Sequence, residues 1–145
     1  MFEKIAVAII TPTHTKNSFT TGLEIAKKFN SELTVMECLY KTQPKFYFFE
    51  TESDKQVTRD QMEKLEQELE EWKKIAEQEN IQIKTELALT ESISHTVVDF
   101  VKENNINLLI VDYPKLSQVE ATHYDEIINA IHHEAPCHLL TMQPS

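Results

Sequence analysis

Short, nearly continuous apolar runs alternate along this chain with longer segments whose apolar residues recur at helical spacing. Runs of this kind suit strands that are covered on both faces, as in a parallel sheet. The predicted strands are Ile5–Ile10, Leu33–Leu39, Ile81–Leu89, Leu108–Val111 and Cys137–Met142. The order β-α-β-loop-α-β-α-β-α-β favours right-handed crossovers. The sequence therefore predicts one α/β domain over residues 1–145, an open parallel five-stranded sheet with helices on both faces.

Four amphipathic segments fill the intervals between these runs. The predicted helices are Ser18–Asn30, a long helix that starts near Val57, Ser92–Glu103 and Asp125–Glu134. Residues 40–56 fit neither pattern, and their four consecutive aromatic residues, Phe46–Phe49, indicate a lid, a partner-binding patch or a loop packed on the domain. Ligands of such sheets bind outside the carboxyl ends of the strands at the topological switch point, so the loops after Ile10, Leu39 and Val111 are the places to look.

The charge balance excludes several classes of partner. Fourteen basic and twenty-four acidic residues give a formal net charge of −10. A surface of that sign repels phosphate, which argues against nucleic acid and anionic membranes as partners. The first residues carry no long apolar run, and Cys38 and Cys137 fit no CxxC pattern. We expect a reduced, cytoplasmic protein with two ordinary buried thiols.

Several segments together resemble the universal stress protein family over nearly the whole chain. They are Lys4–Ile9, Gly22–Val35, Asn105–Val111 and Ala135–Cys137, and they occur in the family's order and spacing. The resemblance implies a Rossmann-like fold of the adenine nucleotide alpha hydrolase type, with strand order 3-2-1-4-5. It also implies a homodimer that pairs through the last strand. The residues of that strand are His138, Leu139, Leu140, Thr141 and Met142.

The family's ATP-binding signature is missing from the sequence. Its three glycines and its final Ser or Thr correspond to Asp112, Lys115, Asp125 and Glu126, and its acidic residue after the first strand corresponds to Ile10. Glycines there let backbone N–H groups approach the phosphates, and two acids at a predicted helix start repel them. The chain contains a single glycine, Gly22. We therefore expect no cofactor and no family-type ATP binding.

An adenine compound such as AMP or ATP stays open as an alternative ligand. The switch-point crevice would then hold the adenosine half, with the phosphates outside. The candidate pocket residues are Ile10, Thr11, Pro12, Thr13, Leu39, Val111, Asp112, Lys115, Asp125 and Glu126.

The remaining polar features have ordinary interpretations that we prefer. The hydroxyl-rich segment Thr11–Ser18 is an anion site or, more simply, a capped turn. The histidines near the C-terminus match no zinc spacing, so we expect no metal site. Asp112 and Glu37 lie near strand ends, but no nucleophile accompanies them. The favoured function is a homodimeric regulatory or interaction module with an unknown protein partner, ahead of a nucleotide-binding protein and of a weak hydrolase or metal-binding protein.

Overall fold

Strands and helices alternate throughout the computed structural model, which describes residues 1–11, 13–41 and 51–143. The strands are β1 (Lys4–Ile9), β2 (Glu32–Tyr40), β3 (Ile83–Thr90), β4 (Leu108–Val111) and β5 (His138–Thr141). The helices are α1 (Asn17–Phe29), α2 (Glu52–Gln78), α3 (Ile93–Glu103) and α4 (Gln118–Glu134). The predicted element order and fold class are confirmed. The aromatic segment Phe46–Phe49 lies outside the described residues, as does Pro12.

The five strands form one parallel sheet in the order β3-β2-β1-β4-β5, as the resemblance implies. Strand β1 pairs with β2 on one side and with β4 on the other. Ile9 lies opposite Glu37, and Ala8 lies opposite Val111. The chain therefore leaves β1 and β4 side by side, which makes their carboxyl ends the topological switch point of the sheet.

Each face of the sheet carries its own apolar core. On one face, Ile5, Val7 and Ile9 of β1 pack with buried residues of α1 and α2, including Trp72. On the other face, Ala6, Ala8 and Ile10 pack with α3 and α4. The period-two alternation of strand side chains produces this division. Both faces are buried, which explains why the central strands read as continuous apolar runs.

Gly22 lets helix α1 lie close to the sheet. A Cβ atom on this residue would be 2.8 Å from Cγ2 of Val7 and 3.4 Å from Cδ1 of Leu33. Because no Cβ tolerates the first of these distances without a shift of its neighbour, the glycine sets the helix-to-sheet spacing. The single glycine of the chain thus serves packing.

Two helices begin earlier than predicted, and both begin at a capping box. Helix α2 starts at Glu52, where the Thr51 side chain accepts from the backbone N–H of Asp54 and the Asp54 side chain accepts from that of Thr51. Ser117 and Glu120 make the same reciprocal contacts at the start of α4. These contacts satisfy backbone donors that a helix start otherwise leaves free.

The early start of α4 corrects one sequence expectation. Asp125 and Glu126 do not lie at a helix N-terminus; they lie about two turns inside α4 and are exposed. The physical reason is the capping box at Ser117, where the helix begins. The segment from Ser117 to Asp125 contains no glycine that would disfavour helix there. Ser92 does precede α3 as predicted, but its side chain makes no capping hydrogen bond.

The strand predicted to pair in a dimer is an edge strand of the sheet. Strand β5 covers His138–Thr141, one residue shorter at each end than predicted, and the Met142 backbone N–H still donates to the Val111 carbonyl at 3.0 Å. Its exposed side chains are His138 and Leu140, the latter 37% exposed. None of the described helices is long and apolar enough to cross a lipid bilayer.

Candidate functional site at the carboxyl edge of the sheet

A buried carboxylate connects the two loops at the switch point. Asp112 follows β4 directly and is 3% exposed. Its Oδ2 atom accepts from the Thr15 backbone N–H at 2.8 Å, and its Oδ1 atom accepts from the Thr15 hydroxyl at 3.0 Å. The buried Tyr124 hydroxyl donates to the Asp112 backbone carbonyl. Hydrogen bonds therefore fix both the side chain and the backbone of Asp112, and its carboxylate accepts from both Thr15 donors of the β1–α1 loop.

The same contacts settle how helix α1 begins. The Thr15 hydroxyl oxygen accepts from the Asn17 backbone N–H at 3.2 Å while it donates to Asp112. The N-cap residue Lys16 makes no side-chain capping hydrogen bond, so among the described side chains the Thr15 hydroxyl alone binds an N–H group of the first turn, and the nearby negative charge is that of Asp112. A carboxylate near the first turn of a helix is favourable because of the helix dipole.

The other predicted pocket residues do not all converge on this crevice. Ile10 and Val111 are core residues of the α3–α4 face. Thr11 and Leu39 are half-buried, while the remaining described candidates are exposed at the surface. These exposed residues are Thr13, Lys115, Asp125 and Glu126. Asp125 accepts a hydrogen bond from the Tyr113 hydroxyl at 3.1 Å, on the outside of α4.

A small cavity lies beside this edge, between the start of α3 and helix α4. Its volume is about 240 Å³, and Tyr40 and His123 face each other edge to face across 6.4 Å at its wall. Among the described residues that we predicted for the pocket, only Glu126 lines it; the other lining residues are Tyr40, Glu91, Ser92, Ile93, Ser94, His123 and Ile127. Two carboxylates in this lining make the cavity unfavourable for phosphate.

A polar cluster that the sequence did not predict lies on the other face of the sheet, beneath α1 and α2. Glu37 points from β2 toward α2 and is completely buried, and His14 of the β1–α1 loop contacts Glu68 of α2. His14 Nε2 is 2.5 Å from Glu68 Oε1. The one available signal was the polar residue at an inward position of β2, after Leu33 and Val35.

Burial and mutual charge perturb both acids of this cluster. Burial first, and then the neighbouring Glu68 carboxylate, raise the pKa of Glu37 to about 9. Burial also acts to raise the pKa of Glu68, but contacts with the Glu37 carboxyl group and with His14 outweigh it, so that pKa is lowered. Of the two acids, Glu37 is therefore the one that holds a proton at neutral pH.

The C-terminal histidines form no metal-binding group with Cys137. Within the described residues, the one set of at least three side chains with converging ligand atoms is His14, Glu37 and Glu68. His123 instead lines the cavity beside Tyr40. Both cysteines are free; Cys38 is buried as predicted and burial raises its pKa to about 12, whereas Cys137 is only half-buried.

Comparisons with solved structures agree with this architecture. The chain is similar to the universal stress protein UspA from Lactobacillus plantarum, with 14% identity, 98% of both chains covered and a TM-score of 0.79. A universal stress family protein from Burkholderia pseudomallei gives 12% identity, coverage of 97% of this chain and 96% of that one, and a TM-score of 0.75. A universal stress protein in complex with cAMP gives 14% identity, 97% coverage of both chains and a TM-score of 0.63. At such identities the likeness establishes the fold.

Sequence comparison supplies the family. A comparison with curated proteins found no match. The model of the universal stress protein family, however, matches residues 1–142, nearly the entire chain. The chain therefore belongs to the universal stress protein family.

Proposed function

We propose that this chain is a homodimeric regulatory or interaction module that does not bind ATP in the manner of nucleotide-binding universal stress proteins. The observation that carries this proposal is the contact between Asp112 and Thr15. A backbone N–H and a hydroxyl at the switch point, the donors suited to an anionic ligand, are bound by an internal carboxylate. A triphosphate would have to displace a buried, doubly hydrogen-bonded negative charge.

The observed start of α4, at Ser117, is also unfavourable for an anion. In the first turn of α4, the Glu120 backbone N–H donates to the Ser117 hydroxyl oxygen at 3.3 Å. The Glu120 carboxylate lies on the same turn. A helix start that already carries a carboxylate attracts phosphate weakly. Together with the net charge of −10, these features support a domain that works without a bound triphosphate.

The nucleotide part of the proposal is tested by a thermal-shift scan of the untagged protein with ATP, ADP, AMP, cAMP and adenosine. A ligand that binds the native state raises the midpoint in proportion to the logarithm of its concentration above Kd. We expect no shift with ATP at millimolar concentration. A saturable upward shift with ATP would refute this part of the proposal.

The dimer part of the proposal rests on strand β5. This edge strand has one open side, and no Asp, Glu, Lys or Arg occurs from Cys137 to Gln143. Edge strands that do not pair with another chain are usually protected by charged side chains, bulges or covering loops. We infer that two copies pair β5 with β5 about a two-fold axis, which joins their sheets.

Substitution of an edge leucine by lysine tests that pairing. We expect wild-type protein to elute at twice the mass of the chain in size-exclusion chromatography with light scattering, and Leu140→Lys to elute as a monomer. The matched control is Leu89→Lys, because Leu89 is 39% exposed on β3, the other edge of the sheet. Monomeric wild-type protein, or dimers unchanged by Leu140→Lys but lost with Leu89→Lys, would contradict pairing through β5.

One observation favours a second candidate function. The cavity of about 240 Å³ beside Tyr40 and His123 lies at the carboxyl edge, and a structural relative was solved with cAMP. The cavity is smaller than the roughly 300–1,000 Å³ usual for ligand pockets, and Glu91 and Glu126 disfavour phosphate. A shift with adenosine but none with ATP, in the same scan, would make adenine-compound binding the preferred function.

A further inference from the structure

We propose that His14, Glu37 and Glu68 form a binding site for a divalent transition-metal ion, with Zn²⁺ as the best-suited ion. This site is separate from the Asp112 crevice and independent of the function proposed above. Its three residues come from the β1–α1 loop, from β2 and from α2. One ligand atom from each lies within 4.8 Å of the other two.

The imidazole of His14 is oriented as a ligand. Its Nδ1 atom is 3.0 Å from the Thr11 backbone carbonyl, which favours a proton on Nδ1. The ring also packs edge to face against Trp72, with centroids 5.9 Å apart. A histidine whose other nitrogen donates to a carbonyl presents Nε2 to a metal, and such outer contacts fix the ring of metal ligands. Here Nε2 lies 2.5 Å from Glu68 Oε1, so the two atoms share a proton that a bound metal ion would displace.

The buried Glu37 carboxyl group is the second observation that favours a cation site. The side chain is 0% exposed, and neither carboxylate oxygen has a hydrogen-bond partner of ordinary geometry among the described residues, although the Glu68 carboxylate lies near enough to raise the pKa of Glu37. Buried carboxyl groups are nearly always hydrogen-bonded, paired or coordinated to a metal. One of the Glu37 oxygens lies within 4.8 Å of a ligand atom of Glu68 and of His14, the other two members of the cluster. A bound cation would displace the proton that Glu37 holds at neutral pH and would then neutralise both acids together.

The donor set indicates the class of ion. One imidazole nitrogen and two carboxylate oxygens suit Zn²⁺, which binds such atoms at about 2.0–2.2 Å and accepts water as its fourth ligand. A tetrahedral ion with these bonds holds its ligand atoms about 3.3 Å apart. Nε2 of His14 and Oε1 of Glu68, which are 2.5 Å apart, would therefore have to separate when the ion binds. The Glu68 side chain is 31% exposed, against 8% for His14, which gives the ion a path from solvent.

The test is calorimetric titration of Zn²⁺ into untagged protein from which metal has been removed with a chelator. We expect one Zn²⁺ per chain for the wild type, and affinity at least about tenfold weaker for Glu68→Gln and for His14→Gln. The matched control is Glu71→Gln, which changes the same charge at an exposed position one helical turn further along α2. A second control, the double variant His132→Ala/His133→Ala, removes the adjacent exposed histidines of α4. Both controls should bind as the wild type does.

Three other results of this titration would overturn the proposal. Absence of binding to wild-type protein would do so, and so would equal affinities for wild type and Glu68→Gln. Loss of binding in the His132/His133 variant alone would assign the ion to the surface of α4. Because Glu68 is partly exposed, its isosteric replacement should fold, and a thermal melt of each variant verifies this. None of these results depends on nucleotide binding or on dimerisation.

Discussion

With a chelator present, the free energy of unfolding of the wild-type protein should fall by about 2–4 kcal/mol between about pH 5 and about pH 8 because of Glu37. Burial and the Glu68 carboxylate raise the pKa of this group from 4.5 in the unfolded chain to about 9 in the native state. The native state therefore keeps a proton that the unfolded state loses. The stabilising contribution is complete below pH 4.5 and disappears as the pH rises toward 9.

Replacement of Glu37 by glutamine should remove this dependence. Urea denaturation at several pH values measures the pH dependence of the free energy of unfolding. We expect Glu37→Gln to be more stable than the wild type at pH 8, and its free energy of unfolding to change less with pH. Glu86→Gln is the control, because Glu86 is an exposed acid on the adjacent strand β3 and its replacement should leave the wild-type slope. Parallel pH profiles for wild type and Glu37→Gln would show that Glu37 ionises normally in the native state.

Loss of the Asp112 side chain should destabilise the protein by about 2–4 kcal/mol, since hydrogen bonds to charged groups contribute about 1.5–3 kcal/mol each and are not additive. The variant Asp112→Ala leaves the Thr15 N–H and hydroxyl without their acceptor at the start of α1. Asp112→Asn should lose less, because its single amide oxygen still accepts one of the two hydrogen bonds. Chemical denaturation at neutral pH measures both.

Asp125→Ala provides the comparison for Asp112→Ala. Asp125 is exposed and accepts a single hydrogen bond from Tyr113, so its loss should change stability by less than about 0.5 kcal/mol. Equal effects of the two alanine variants would mean that the carboxylate of Asp112 does not bind the β1–α1 loop in solution.

The fold was predictable because its signals are local and repeated. Each central strand is an apolar run bounded by turn residues, and each helix has a clear apolar face. In α3, for example, the apolar residues that recur at helical spacing, namely Ile93, Val97, Phe100 and Val101, are all buried. The parallel pairing of the strands follows from the alternation of strands and helices. The order of the strands in the sheet was predicted from the family resemblance.

The helix starts were missed although the sequence contains their signals. Thr51 and Asp54, like Ser117 and Glu120, have the spacing of a capping box. The family register drew attention to Asp125 and Glu126 as a helix start, and that comparison obscured the local signal. Comparison with a family signature thus indicates which residues occupy its positions, but not the conformation that those residues adopt.

The polar cluster could not be predicted from spacing. His14, Glu37 and Glu68 are separated by more than twenty residues in each interval, and only the folded sheet and α2 bring them together. A run of acids on a helix usually forms a solvated face, which holds for Glu71 but not for Glu68, whose carboxylate contacts His14. Burial of one acid in an otherwise charged helix depends on tertiary contacts that sequence patterns do not specify.

The central claim is that Asp112 takes the place of a ligand anion at the switch point, and the Thr15 amide reports on it directly. Two-dimensional proton–nitrogen NMR of the labelled protein, titrated with ATP to millimolar concentration, follows this amide. We predict that the Thr15 resonance stays in place throughout the titration, since its N–H remains bound to Asp112. A saturable shift of Thr15 together with Asp112 would show that the nucleotide enters the crevice and displaces the carboxylate.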